Sequence, residues 1–78
     1  MIVFQKVMQR VKEVLQQTTG EEKILDRDIA NALNLDPQYF AVIKRRNKIP
    51  YEALAYFCHA RKISLNWILL EQSPSHLT

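Results

Sequence analysis

Near the start of the chain, Val3, Phe4, Val7, Met8, Val11, Val14 and Leu15 recur at intervals of three and four. Gln5, Lys6, Gln9, Arg10, Lys12, Glu13 and Gln16 fall between them. That is the stripe of an amphipathic helix, and it predicts a first helix over residues 2–17. Thr18-Thr19-Gly20 is expected to stop it, with Gly20 in the left-handed conformation at the C-terminal cap. After a charged connector over 21–25, Ile29, Ala30 and Leu33 mark the inward face of a second, shorter helix from Asp26 to Leu33. Asp26 or Asp28 is expected to cap or complement its N-terminus.

Asn34-Leu35-Asp36-Pro37 then carries two signals. Asn accepts positive φ more readily than other residues with a side chain, so Asn34 can end the second helix. A capping Asp followed by Pro at the first helical position starts the third at Pro37. Phe40 and Ile43 face inward along it, and it is expected to end near Arg46 or Asn47. Ile49-Pro50 opens a fourth helix over about 50–61, with Leu54, Phe57 and Cys58 as its core stripe. Ser64 caps a fifth, from Leu65 to about Glu71, with Trp67 expected to close the core. Residues 1–71 form one all-α domain in this reading, and 72–78 are a polar tail or the stub of a linker.

Composition supports that reading. Apolar residues make up 47% of 78, enough for a packed core and too many for a disordered chain. A chain of this length buries roughly 60–65% of its unfolded surface, so a stability of about 5 kcal/mol is expected. The lone cysteine, Cys58, cannot form an internal disulfide and reads as a buried small hydrophobe, which fits a reducing cytoplasm. Lys6, Arg10 and Lys12 interrupt the apolar start, so neither a signal peptide nor a membrane span is expected.

Net charge is only +3, but Lys44, Arg45, Arg46 and Lys48 concentrate four cations in five residues. No acid stands between Asp36 and Glu52, whereas Glu21–Asp28 is net acidic. A basic cluster on a nearly balanced domain suggests a polyanion contact on one side. Catalysis has little support: His59 and His76 are far apart, there is no second cysteine, and no Gly-rich phosphate loop is present. No metal-ligand spacing exists either, so neither an enzyme nor a cofactor or small-molecule ligand is expected.

Two short helices joined by a tight turn, the second opening on a cap-Pro pair, form a helix-turn-helix. Ala30 lies where the two helices are expected to cross. With Phe40 and Ile43 inward, the opposite face of the third helix carries Gln38, Tyr39, Ala41, Val42 and Arg45. A helix fits the DNA major groove, where its N-terminal residues meet base edges. Gln38 can pair with adenine, Ala41 and Val42 can touch a thymine methyl, and Arg45 can reach guanine or a phosphate. Tyr39 can donate to a phosphate or pack on sugars. Lys44, Arg46 and Lys48 are placed for the DNA backbone.

From Asp26 to Glu71 the chain resembles the helix-turn-helix domain of phage CI-type repressors. The resemblance is carried by Asp-Ile-Ala-Asn-Ala-Leu-Asn-Leu-Asp-Pro (28–37), Ile-Lys-Arg-Arg-Asn-Lys-Ile-Pro (43–50) and Phe-Cys-His-Ala-Arg-Lys-Ile-Ser-Leu-Asn-Trp-Ile-Leu (57–69). It implies a five-helix, lambda-repressor-like fold and a sequence-specific regulator that binds double-stranded operator DNA, commonly as a dimer. The family usually has Gly where Asn34 stands, and often an aromatic in place of Ile43. Asp26 stands where the wider group often has a phosphate-contacting Gln, so Arg27 or backbone N–H groups are the expected substitutes. Many such repressors carry a further C-terminal domain; here either that domain belongs to a longer protein or the chain dimerises through its own helices. Leu69 and Leu70 are the candidate homodimer residues. The alternatives are a protein-protein interaction module of the same fold, or an antitoxin- or excisionase-like regulator.

Overall fold

The N-terminal stripe becomes helix α1, Phe4–Thr19, in a computed structural model that describes residues 1–72. The expected tail from residue 73 onward, His76 included, lies outside the described residues. Four further helices follow: α2 (Asp26–Ala32), α3 (Pro37–Arg45), α4 (Tyr51–Arg61) and α5 (Leu65–Leu70). The described residues contain no β-strand, so the expected all-α class is what forms.

Boundaries differ from the expected ones for local reasons. Val3 keeps an extended backbone, so α1 starts two residues late. It also ends two residues late, because the Thr18 and Thr19 hydroxyls bond back to the carbonyls of Val14 and Leu15 at 2.9 and 2.8 Å. Gly20, at φ 75°, then closes the helix. Asp26 and Asp28 both lie in the first turn of α2 and complement its N-terminus as expected, but neither occupies the cap position itself. That position is Leu25, whose N–H donates to Asp28 Oδ2 at 2.9 Å.

Three helix ends share one construction. Asn34, Asn47 and Lys62 take φ of 57°, 52° and 54°. Each is followed by a residue whose N–H bonds a carbonyl five positions back: Leu35 to Ala30 (2.8 Å), Lys48 to Ile43 (2.9 Å) and Ile63 to Cys58 (2.9 Å). This is the wider hydrogen bond of the Schellman motif, which satisfies carbonyls the helix leaves unpaired. Two of the three ends use Asn, the side chain best suited to that backbone; the third uses Lys.

Packing is organised around α1. It lies against α2 and α5, while α2 packs on α3 and α4 on α5. Val7, Val11, Ala30, Leu54 and Ile68 are fully enclosed, and among the described residues no polar or charged side chain is buried. Two polar contacts tie distant segments together. The N–H of Phe4, the first residue of α1, donates to Asn47 Oδ1 at 2.7 Å. Arg10 reaches the end of α5, donating to the carbonyls of Ile68 (2.6 Å) and Leu69 (3.1 Å). Among the described residues no helix is long and apolar enough to cross a membrane.

Candidate nucleic-acid interface

Helix α3 is started, oriented and stopped by separate devices. Asp36 Oδ1 accepts from the N–H groups of Gln38 (2.7 Å) and Tyr39 (3.4 Å), and Pro37 occupies the first turn. Phe40 and Ile43 are buried, and the Phe40 ring lies 5.4 Å from that of Phe4 on α1. Those two anchors fix which face turns outward. Asn34 and Asn47, both left-handed, turn the chain on either side of the helix.

Gln38, Ala41 and Arg45 are exposed together opposite the two anchors. At 100° per residue they span about 60° of the helix surface, with Arg45 between Ala41 and Gln38. Val42 is half-buried at one margin of that stripe. Tyr39 departs from the expected placement. Its position falls on the flank of α3, and it lines a groove shared with Lys48, Pro50, Tyr51 and Tyr56 at the side of α4. The helix also ends at Arg45 rather than Arg46, which is the cap residue.

A second cleft, of about 510 Å³, lies on the other side of α3. Its walls are Asp26 and Arg27 at the start of α2 and Pro37, Ala41, Lys44 and Arg45 on α3. Lys44 does not extend freely from this cleft, because its Nζ lies 2.7 Å from Asp26 Oδ2. Arg27, Arg45, Arg46 and Lys48 are exposed and have no carboxylate partner among the described residues. The positive charge at the end of α3 therefore consists of three unpaired cations and one paired, with Arg27 adding a fourth unpaired cation across the cleft. Lys44 and Arg45 in the last turn also complement the helix dipole, an effect of about 0.3–1 kcal/mol.

The remaining candidates fall elsewhere. His59 is exposed on α4. Burial pushes the Cys58 thiol up to about 11, only partly offset by the nearby Arg61 charge, so it is not a poised nucleophile at neutral pH. Among the described residues no cluster of His, Cys, Asp and Glu could hold a metal ion. Trp67 is half-buried against the core, and Leu69 is too, so Leu70, 53% exposed, is the apolar side chain left open at the end of α5.

Three features of this region escaped the sequence reading. Asn47 caps α1, Arg10 caps α5, and Asp26 pairs with Lys44. Only Asn47 carried a signal, as an Asn directly after a predicted helix end; its partner 43 residues away carried none. No protein-family model matches the chain, and no curated protein or solved structure matches it either.

Proposed function

We propose that the chain is a sequence-specific double-stranded DNA-binding protein, a transcriptional repressor of the phage CI type. In this reading α2 and α3 form a helix-turn-helix and α3 enters the major groove. The observation that carries it is the conjunction at α3: an exposed Gln38–Ala41–Arg45 stripe flanked by Arg27, Arg46 and Lys48, none of them neutralised by a carboxylate among the described residues. Gln38 pairs with adenine, Ala41 and the exposed edge of Val42 meet thymine methyls, and Arg45 takes guanine or a phosphate. Arg27, Arg46 and Lys48 hold the backbone, with Tyr39 at the groove margin against phosphate or sugar. Leu70 is the residue best placed to meet a second copy. A homodimer would recognise two half-sites about one helical turn apart.

Four neutralised phosphates per monomer give a slope of log K against log salt of about −3.6. Titration of a labelled duplex between about 50 and 200 mM salt measures it. Replacing Arg45 and Arg46 together by Ala should weaken binding and flatten the slope by about 1.8. Unchanged binding in that double variant removes this surface from the contact. Gln38→Ala should instead relax preference at one base pair by about 1–3 kcal/mol.

A second reading rests on the groove of about 720 Å³ between the α2–α3 turn and α4. All three tyrosines of the chain, Tyr39, Tyr51 and Tyr56, line it and stand 45%, 53% and 68% exposed. Aromatic side chains of that exposure are enriched in protein interfaces, so a protein-binding module is the alternative. Tyr51→Ala with Tyr56→Ala discriminates: it leaves DNA affinity intact in the first reading and abolishes partner binding in the second.

A further inference from the structure

The ion pair between Asp26 and Lys44 lies on the surface that the DNA-binding reading assigns to phosphate. Asp26 is the first residue of α2 and Lys44 belongs to the last turn of α3, and both line the cleft between those helices. Their charged atoms are 2.7 Å apart, with side chains 60% and 44% exposed. An exposed pair of this kind contributes little to folding. Nor is the Asp26 carboxylate needed to close α2, because Asp28 holds the N–H at the start of that helix. What the pair does alter is the charge offered to a polyanion. It withholds one cation from the basic cluster, and it places a carboxylate in the cleft that Arg27 and Arg45 also line.

We infer that Asp26 is an affinity brake on the DNA-binding surface, holding Lys44 back from a phosphate that it would otherwise neutralise. The inference rests on the DNA-binding reading and specifies how strongly that surface binds. Removing the carboxylate frees Lys44 for one further phosphate. That steepens the salt slope by about 0.9 and raises affinity about eightfold at 0.1 M salt.

The test uses the full chain, a fluorescein-labelled random-sequence duplex about two helical turns long, and anisotropy titrations between about 50 and 200 mM salt. Four proteins are compared: the wild type, Asp26→Asn, Lys44→Ala and the double variant. Far-UV circular dichroism checks that each is folded, with Asp26→Ser as a second way of removing the carboxylate. The expected result is a tighter and steeper Asp26→Asn, whose gain disappears when Lys44→Ala is added. Wild-type binding with Asp26→Asn within twofold of it overturns the brake and leaves the DNA-binding reading standing. A double variant that keeps the full gain also overturns it, because Lys44 is then not the released cation. If neither the wild type nor Asp26→Asn binds the duplex, both readings fall together.

Discussion

Asn47 offers the sharpest test of how the α3–α4 junction is held. Its side chain accepts the N–H of Phe4 at 2.7 Å, and its backbone sits at φ 52°. Val3, at the cap position of α1, has no side-chain oxygen to offer, so the cap comes from a loop 43 residues away. Two separable costs follow. Losing a capping acceptor costs about 1 kcal/mol, and placing an ordinary side chain in the left-handed region costs about another 1 kcal/mol. Asn47→Ala incurs both, about 2 kcal/mol, which is a large part of the roughly 5 kcal/mol expected of such a domain. It should lower Tm by about 10 °C. Asn47→Gly incurs only the first cost, about 1 kcal/mol, and Asn47→Asp keeps the oxygen and should lose less than about 0.5 kcal/mol. Urea unfolding followed by far-UV circular dichroism ranks the three through their midpoints. An Asp variant as unstable as Ala would refute the cross-chain cap. Equal losses in Gly and Ala would refute the backbone argument.

Further expectations concern the core and the helix ends. Lys62→Gly should stabilise the fold by about 0.5–1 kcal/mol, since Lys62 holds φ 54° at the end of α4 without the freedom of glycine; a raised urea midpoint checks it. Ala30 is fully buried on α2, and Ala30→Leu should cost about 1–3 kcal/mol by overpacking, read from the same unfolding curves. Burial pushes the Cys58 thiol up from its ordinary 9.0 to about 11, with the Arg61 charge offsetting only part of the rise. Its folded state thus holds the proton more tightly, so its contribution to stability is complete below pH 9 and is lost as pH rises towards 11. Unfolding midpoints measured across that range should fall less steeply in Cys58→Ala than in the wild type.

The parts of the fold legible in the sequence are those set by neighbours in the chain. Asp36-Pro37 announces the start of α3 because the cap and its N–H partners lie within three residues. Asn34 announces the end of α2 through its own tolerance of positive φ. The three-and-four spacing of α1 identified its buried face, since burial of a stripe is a one-element property. The illegible parts depend on what folding brings together. Arg10 looks like any surface arginine until the last carbonyls of α5, 58 and 59 residues on, arrive beside it. Lys44 belongs to a basic run in the sequence, yet α2 delivers a carboxylate to it. Tyr39 lies one residue from Gln38, yet the 100° step turns it towards the side of α4.

In the proposed DNA-binding mode, α3 reads the duplex through Gln38, Ala41, Val42 and Arg45. Selection of bound duplexes from a random pool, run in parallel with the wild type and with Gln38→Ala and Val42→Ala, tests it most directly. The expected result is a recurring site for the wild type and a loss of preference at a different single base pair in each variant. Recovery of the same site with undiminished preference by all three proteins, or no enrichment by any of them, would contradict it.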